Sequence, residues 1–449
     1  YLAIISLFIL CSLQSFGTHI VGGELYYTLL NSSTNEYRIT VRVFFDCQDG
    51  NPDAIATDNT LVISLWNART NAYISDFEVN KSSSKRINND DTYKCVVPPG
   101  NICISSALYS KVININPSND GIIVAWQRCC RNGKIDNIIN PGGTGFTAWN
   151  VIPPKATVNS SPQIKEIPPI YVCVDAPLSF YQDATDADGD SLAYSFSTPY
   201  IGGNNSSRIR PSDLSTFDRR PFEQLFWRNN YSEFNQISGD PSFFIDPVTG
   251  QISGTPNKAG EYTLGVSVNE YRNGVLIGTT RRDYQISVIN CQFDVLADFR
   301  VNGGTAVGGS YTFECGDSVK FTNNSQVKAG LNAVYIWNFG DPTTLADTLR
   351  TTSRNIPVSY VYPGNGDYTV TLIVRTPVCE DDYSYKVKIR STKSFELGAD
   401  RRFCDDFSTI LDTRTPDAVS VTWNNGATGS KIIVQDTGMY IAEVSYGKC

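Results

Sequence analysis

Histidine is almost absent from this sequence: a single one, His19, stands near the start of the 449 residues. Serine-histidine-aspartate catalysis, cysteine-histidine catalysis and histidine-based zinc sites all need an imidazole at the site. The body of the chain, which follows His19, therefore cannot carry any of them. Enzymes built on a pair of carboxylates are not excluded by this count. With no motif for such a pair, we predict no catalytic residue and a protein that is not an enzyme.

The sequence also lacks a basic cluster interleaved with aromatic residues. It has 37 Lys and Arg against 45 Asp and Glu, which gives a formal net charge of -8. Nucleic-acid binding relies on lysine and arginine side chains that neutralise many phosphates at once. We therefore expect no nucleic-acid partner.

A third absence is helical periodicity, because no long run repeats apolar residues at the spacing of a helix. Thr, Val, Ile, Tyr and Phe dominate the ordered-looking stretches instead, and Asn-Gly, Asp-Gly and Gly-Gly pairs punctuate them. Hydrophobic residues make up 41% of the chain, which is enough to bury real cores. A chain of this length suits about three or four domains. The predicted fold class is all-β, with small β-sandwich domains in tandem.

The chain begins with an apolar stretch, YLAIISLFILCSLQSF, that is followed by the small residues Gly17 and Thr18. It resembles the hydrophobic region and cleavage end of a signal peptide without its first methionine and basic region. A short membrane anchor is the alternative, but about 16 residues are few for a hydrocarbon core of ~30 Å. We predict that residues 1–17 are a partial signal peptide and that the protein is exported. Because the sequence stops directly after a strand-like run, we also expect a truncated C-terminus.

Four domains are predicted after the signal peptide. Strand-like runs alternate with turns as far as the stiff connector VIPP, which is taken as the end of the first domain. The second domain contains a long stretch rich in Asn, Ser, Arg and aromatic residues. The predicted domains are an N-terminal β-sandwich (18–154), a second domain (155–291) with a long insertion (199–241), a third (292–390) and a fourth, truncated one (391–449).

Twelve cysteines in an exported chain predict disulfide bonds. Cys173 and Cys291 lie on the first and last predicted strands of the second domain, and their bond would contribute about 4 kcal/mol in the chain-entropy picture. One pair in each later domain, and one around a Pro-Pro-Gly turn in the first, is the simplest assignment. The predicted pairs are Cys173–Cys291, Cys315–Cys379, Cys404–Cys449 and Cys95–Cys103. Cys47 would then bond either Cys129 or Cys130, which leaves the other one free.

The most specific motif lies in the third domain. The strand and turn YIWNFGD (335–341) is followed by YVYPG (360–364) and GDYTVTL (366–372). Trp337 and Phe339 alternate toward one face, the Gly-Asp pair turns the chain, and the last segment offers a facing strand at period two. This strongly resembles the polycystic-kidney-disease (PKD) domain. The resemblance implies an immunoglobulin-like sandwich with a binding or spacer role and no chemistry of its own.

Two motifs of the second domain resemble modules of surface proteins. The run FIDPVTGQISGTP (244–256) is similar to immunoglobulin-like repeats of bacterial surface proteins, and DATDADGDSLAY (183–194) looks like the acidic turn of cadherin-like modules. Carboxylates at alternate positions around a glycine can converge on one hard cation. The cadherin-like resemblance therefore implies calcium as a cofactor. The predicted ligands are Asp183, Asp186, Asp188 and Asp190. The alternative is a solvated Asp-Gly hairpin turn without metal.

The long insertion also offers a candidate ligand-binding surface. Trp227 and Tyr231 stand in its aromatic part and, if exposed, could stack against sugar rings. The alternative is that this loop packs on its own domain or on a neighbour.

The first domain completes a resemblance that covers the whole chain in order. Its segments GGELYY (22–27), YRITVRVFFDC (37–47) and WQRCCRNG (126–133) resemble the N-terminal region of large secreted Bacteroidota proteins. Many of those carry PKD modules and end in a gliding-motility-associated C-terminal domain. The resemblance implies export by the type IX secretion machinery and display on the extracellular face of the outer membrane.

We therefore expect a non-catalytic, adhesin-like surface protein with a link to gliding or attachment. Its modules would present binding or spacer surfaces to an extracellular protein or polysaccharide, and the chain would be an elongated monomer. The alternative is an accessory, substrate-binding or polysaccharide-binding region of a secreted hydrolase whose catalytic domain lies elsewhere.

Overall fold

The computed structural model places most of the chain in two compact units. The first comprises the described residues up to Gln292 apart from Lys94–Val96, and the second comprises Lys94–Val96 and those from Phe293 onward. The described residues are 19–50, 55, 58–87, 94–96, 100–117, 119–203, 222–239, 242–307, 310–344, 346–390, 395–403, 407–416 and 418–446. The predicted signal peptide, Cys404 and Cys449 lie outside them. Among these residues no helix has both the length and the apolar character needed to cross a membrane.

Strands make up most of the described part of the first unit, and a short 3-10 helix spans Pro141–Gly143. Its strands before residue 155 are β1 (Ile20–Asn31), β2 (Glu36–Asp46), β3 (Thr60–Asn67), β4 (Tyr73–Arg86), β5 (Ile104–Asn114), β6 (Ile122–Arg128) and β7 (Phe146–Ile152). The later ones are β8 (Gln163–Ile164), β9 (Tyr171–Cys173), β10 (Leu178–Tyr181), β11 (Ala184–Thr185), β12 (Ser191–Phe196), β13 (Phe244–Ile245), β14 (Gln251–Gly254), β15 (Gly260–Arg272) and β16 (Val275–Ile289).

One large sheet runs through the first unit in the order β12-β15-β16-β1-β2-β5-β4-β3-β6-β7, and β9 adds to β16 in parallel. The joint between its halves is the antiparallel pair β1–β16, where Gly22 lies opposite Tyr284. Gly22 has φ +142°, and a Cβ there would lie 2.1 Å from the carbonyl oxygen of Asp283. A side chain at this position would therefore push the two strands apart.

This joint differs from the predicted boundary at residue 154. Strands of the predicted domains 18–154 and 155–291 belong to the same sheet, because β1 offers an edge that β16 pairs with. The proline connector at the end of β7 turns the chain without separating two modules. The predicted boundary near residue 291 coincides with the limit of the first unit.

The core of the first unit follows from the two-residue period of its strands. On β2, Ile39, Val41, Val43 and Phe45 are all 1% exposed or less and belong to one cluster. Each such side chain contributes about 1.5–3 kcal/mol relative to an exposed one. The residues between them, including Arg42, face the other side of the sheet.

The second unit has two regions, each with its own apolar core. The strands of the first region are β17 (Val295–Leu296), β18 (Phe299–Asn302), β19 (Thr305–Val307), β20 (Ser310–Glu314), β21 (Ser318–Asn323), β22 (Gln326–Val327), β23 (Val334–Asn338), β24 (Thr348–Thr351), β25 (Val358–Val361), β26 (Gly366–Arg375) and β27 (Glu380–Arg390). The strands of the second region are β28 (Thr409–Asp412), β29 (Ser420–Trp423), β30 (Lys431–Val434) and β31 (Ala442–Ser445).

The first region of the second unit is a sandwich. Its larger sheets have the orders β19-β20-β27-β26-β23-β24 and β18-β21-β25. Trp337 is fully buried, in ring contact with Phe299 and Phe321. The motif YIWNFGD thus supplies the core side chains of the sandwich.

The disulfide bonds agree with the predicted pairs only in part. Cys173 bonds Cys291, as expected. The expected pairs Cys95–Cys103 and Cys315–Cys379 do not form. The bonds are Cys47–Cys103, Cys95–Cys379 and Cys129–Cys130 instead, and Cys315 is disulfide-bonded as well.

Strand register accounts for the corrected pairs. Asp46 lies opposite Ile104 at the ends of β2 and β5, and the amide of Cys47 donates to the carbonyl of Cys103 at 2.9 Å. This places those two cysteines side by side, although 56 positions separate them. Cys95 is held in the second unit by the bridge between Val96 and Phe293. Neither Cys129 nor Cys130 bonds Cys47, and neither is a free thiol.

Candidate metal centre

The acidic turn lies between β11 and β12, in the first unit. β12 pairs with β15 so that Leu192 is opposite Glu270. The turn that precedes β12 therefore comes close to the end of β15. This pairing brings Glu270 to residues that are about 80 positions earlier in the chain.

Local hydrogen bonds shape the turn. One carboxylate oxygen of Asp186, Oδ1, accepts the amide protons of Asp188 at 3.0 Å and of Asp190 at 2.8 Å. Gly189 between them has φ +81°, a conformation that glycine adopts without strain. The turn thus folds back on the side chain of Asp186 and directs the three aspartates to one place.

Four carboxylates meet at this turn. Asp186, Asp188, Asp190 and Glu270 each place an oxygen so that all of these atoms lie within 4.8 Å of one another. Three of the four predicted ligands are therefore brought together. Asp183 is not part of the cluster: it is exposed, and its backbone carbonyl accepts the amide proton of Lys165. The fourth carboxylate of the cluster is Glu270 and not Asp183.

The neutralising groups around the cluster are few. Arg272 donates to both oxygens of Asp190, at 2.8 and 2.5 Å. The amide of Ser160 donates to Asp188 at 2.5 Å, and the side-chain amide of Asn159 donates to Glu270 at 2.9 Å. Within the described ranges, one guanidinium thus stands against four carboxyl groups.

Two carboxylate oxygens of the cluster are left without a hydrogen-bond partner among the described residues. They are Oδ2 of Asp186 and Oε1 of Glu270, and both are buried. Glu270 as a whole is 0% exposed. A buried charged oxygen without a partner is costly, so a cation or a proton is needed at this point.

The pKa values of these carboxyl groups also reflect the excess of carboxylates over cationic groups in the cluster. Burial, and after it the neighbouring carboxylates of Asp186 and Asp190, raise the pKa of Glu270 to about 8. The hydrogen bonds from Arg272 hold the pKa of Asp190 below its usual value. Glu270 is therefore the carboxyl group that most requires compensation when it is ionised.

The donor set fits calcium. Calcium takes six to eight oxygen ligands at about 2.3–2.6 Å, so two ligand oxygens on opposite sides of the ion are at most about 5 Å apart. The oxygens of this cluster satisfy that limit. Softer transition metals prefer imidazole or thiolate ligands, which the cluster does not contain. Asp186, Asp188, Asp190 and Glu270 would hold the ion.

The sequence did carry a signal for Glu270. On β15 the residues Tyr262, Leu264, Val266 and Val268 alternate and are buried. Glu270 continues the same alternation, so a carboxylate follows four apolar residues on the buried face. A buried carboxylate needs a compensating cation, and the acidic turn opposite β15 offers further carboxylates that could share one.

The candidate aromatic platform is packed in the described part of the insertion, residues 199–203 and 222–239. Trp227 is partly buried against Ile138 and Leu225, and its indole Nε1 donates to Thr198 at 3.2 Å. The ring of Tyr231 lies 5.9 Å from that of Tyr262. These contacts match the alternative in which the loop packs on its own domain or on a neighbour, since Leu225 and Tyr262 belong to the second predicted domain and Ile138 to the first.

These features define an all-β protein with tandem immunoglobulin-like β-sandwich domains. Within it, residues 305–387 match the model of the PKD domain, as the motif in the third predicted domain indicated. No curated protein sequence matches the chain closely enough to count as a relative.

Solved structures with similar arrangements of strands share little sequence with the chain. The N-terminal four immunoglobulin domains of Dscam1 isoform 6.9 are 10% identical, with 83% of this chain and 73% of that one covered and a TM-score of 0.15. Latent PorU from Porphyromonas gingivalis is 10% identical, with 84% and 34% covered and a TM-score of 0.22. The I-band fragment I67–I69 from titin is 10% identical, with 79% and 93% covered and a TM-score of 0.15. None of these similarities bears on function.

Proposed function

We propose that this protein is a non-catalytic, adhesin-like extracellular protein whose first unit is stabilised by calcium. PKD and immunoglobulin-like modules are typical of extracellular binding or spacer regions, and disulfide bonds persist in oxidising surroundings. The observation that carries the calcium part is the buried, unpartnered Oε1 of Glu270 within a cluster of four carboxylates.

An ion at this point would connect three parts of the first unit. Asp186, Asp188 and Asp190 belong to the turn before β12, and Glu270 belongs to β15. The third part is the segment 159–161, whose Ser160 amide donates to Asp188. That segment also holds β1, because the Oγ of Ser161 accepts the amide proton of Tyr27 at 2.9 Å. Calcium would therefore tie the turn and β15 to the segment that contacts β1, a strand in the interior of the main sheet.

Surface display through the type IX secretion route, a role in gliding or attachment, and an elongated monomeric form are further parts of the proposal. They rest on the resemblance of the N-terminal segments and on the order of the modules. An accessory role beside the catalytic domain of a secreted hydrolase remains the alternative.

Calcium is expected to raise the thermal stability of the full chain. Binding to the folded state alone stabilises it by mass action, by about 2.7 kcal/mol at a calcium concentration of 100 times Kd. The measurement is thermal unfolding, in excess chelator and again in millimolar calcium. Magnesium should give a smaller shift, because it demands a near-octahedral site and keeps its water ligands.

Glu270→Gln is the decisive variant, and Asp183→Asn is its matched control. Glu270→Gln should lose most of the calcium-dependent shift, yet unfold in chelator at or above the temperature of the unaltered protein, because it removes a carboxyl group that is costly to bury. Asp183→Asn removes an exposed carboxylate outside the cluster and should keep the full shift. The calcium centre is refuted if calcium does not stabilise the unaltered chain, or if it stabilises Glu270→Gln equally.

A further inference from the structure

We infer that the first unit binds an oligosaccharide with negatively charged substituents, in a groove of about 740 Å³. The groove lies on the face of β2, β5 and β4 that points away from the apolar core, and its other wall comes from residues 165–169 and β10. Strand register places Arg42, Leu108 and Ser83 in one row across its floor. This site is separate from the metal centre and does not depend on it.

A buried ion cluster makes the floor of the groove positive. The carboxylate of Glu24 is paired with Arg42 at 2.9 Å and with Arg282 at 2.8 and 3.0 Å. Two guanidinium groups thus share one carboxylate, which leaves one positive charge uncompensated. The backbone carbonyl of Ile164 also accepts a hydrogen bond from Arg42, at 3.1 Å, so the side chain that lines the groove is held in place.

The rim of the groove adds exposed positive charges to this buried one. Lys85 and Arg86 on β4 and Lys165 on the opposite wall are exposed. In the part of the chain that the structure describes, none of the three side chains has a carboxylate partner. Glu166 is the acidic residue of the lining, so four cationic side chains face one carboxylate in a protein of net charge -8. Such a groove attracts anions over several ångströms.

The remaining lining residues favour a sugar over other anions. The half-buried ring of Phe180 gives a flat apolar surface, against which the C–H faces of sugar rings can pack, and the largely buried Pro168 and Pro169 complete the apolar part of the lining. Serine hydroxyls of the lining, such as that of Ser106, can exchange hydrogen bonds with sugar hydroxyls. The volume suits a ligand of a few sugar units and is large for a single small anion.

An acidic peptide fits this floor less well. Peptides that bind a sheet usually do so by pairing their backbone with the free edge of a strand. The floor here is the face of the sheet, where β5 is already paired with β2 on one side and β4 on the other. A ligand must therefore be recognised by side chains, which suits charged substituents on a semi-rigid sugar.

The test is calorimetric titration of the full chain in calcium-free buffer of low ionic strength, with four probes. These are a tetramer of galacturonic acid, a sulfated dextran oligosaccharide, neutral maltotetraose and hexa-aspartate. We expect at least one charged saccharide to bind, and raised salt to weaken its binding because salt screens exposed charges. The two charged probes distinguish carboxylate from sulfate, and either result supports the inference.

The variant pair Lys85→Glu with Arg86→Glu should weaken this binding by about tenfold or more. The matched control, Lys155→Glu with Lys258→Glu, makes the same change in net charge at exposed positions outside the groove and should bind within about twofold of the unaltered chain. All four substitutions are at exposed residues, so thermal unfolding should show that the variants remain folded.

Several results would overturn the inference. They are failure of both charged saccharides to bind at about 1 mM, equally tight binding of maltotetraose, and tighter binding of hexa-aspartate than of either saccharide. Equal weakening by the control pair would show that general surface charge, and not the groove, attracts the probe. None of these outcomes depends on whether calcium binds at Glu270.

Discussion

Replacing Arg282 with methionine should lower the free energy of unfolding of the first unit by about 3–5 kcal/mol, the usual cost of removing one partner of a buried ion pair. Arg282 is 1% exposed, and Glu24, which accepts its hydrogen bonds at 2.8 and 3.0 Å, is 0% exposed. Arg282 also donates to the backbone carbonyls of Ile164 and Glu166. Methionine fills much of the volume but supplies neither charge nor donors. Glu24 would then share its charge with Arg42 alone.

The position of this ion pair determines how the loss of stability should appear in thermal unfolding. Glu24 is on β1 and Arg282 is directly opposite on β16, so the pair spans the joint between the halves of the large sheet. We expect scanning calorimetry to show one transition for the first unit, shifted as a whole to lower temperature in Arg282→Met. Denaturant unfolding of the same variant gives the free energy.

Arg38→Met provides the control, because Arg38 is an exposed arginine on β2. Its substitution should change the free energy of unfolding by less than about 0.5 kcal/mol. A similarly small loss in Arg282→Met would contradict the role of the ion pair. A first unit that melts in two separate transitions, with only one shifted, would favour independent domains divided near residue 154.

Features that depend on neighbouring residues could be predicted from the sequence. The alternation of Trp337 and Phe339, followed by a Gly-Asp turn, indicated the PKD sandwich, because strand faces and turns are set by residues a few positions apart. The acidic turn is local in the same way. Asp186, Asp188 and Asp190 converge because the side chain of Asp186 accepts the amide protons of the other two.

Features that depend on distant strands could not be predicted. The pairing of β1 with β16 joins residues about 260 positions apart, and its clearest sequence mark is the glycine at position 22. A connector with two prolines looks the same whether it separates modules or returns the chain to the same sheet. The bonds of Cys47 to Cys103 and of Cys95 to Cys379 follow from strand register and placement in the second unit, neither of which cysteine spacing reveals.

Glu270, the fourth carboxylate of the metal centre, depends partly on neighbouring residues and partly on the pairing of distant strands. The burial of Glu270 could be predicted from the alternation of buried residues on β15. Its closeness to the acidic turn could not, because that depends on β12 lying beside β15. Asp183, by contrast, belongs to the same sequence motif as the turn but points elsewhere. Proximity in the sequence was therefore a poor guide to the last ligand, and burial of a charge was the better one.

Trp337→Ala is expected to lower the free energy of unfolding of the PKD sandwich by about 3–5 kcal/mol, because it removes a large side chain from a closed core. Trp337 is 0% exposed. Its ring centroid lies 5.1 Å from that of Phe299, 5.7 Å from that of Phe321 and 6.4 Å from that of Phe339. The flanking rings belong to other strands or to the turn, so they can close only part of the cavity.

Trp337→Phe separates ring packing from the polar group of the indole. The indole Nε1 of Trp337 is buried and has no hydrogen-bond partner within the described part of the chain. Phenylalanine keeps an aromatic ring and removes this unpaired donor, so the cost of the lost volume is partly offset. We expect Trp337→Phe to cost less than about 1.5 kcal/mol, clearly less than the alanine variant.

Denaturant unfolding followed by circular dichroism measures both variants without relying on tryptophan fluorescence. Val378→Ala is the control, because Val378 belongs to the same region but is 64% exposed, and it should have almost no effect. Equal losses for alanine and phenylalanine at position 337 would mean that the indole makes a specific polar contribution, contrary to its unpartnered Nε1. A large loss for alanine and a small one for phenylalanine would show that the aromatic ring of the WNFGD motif stabilises this sandwich mainly by filling the space between its sheets.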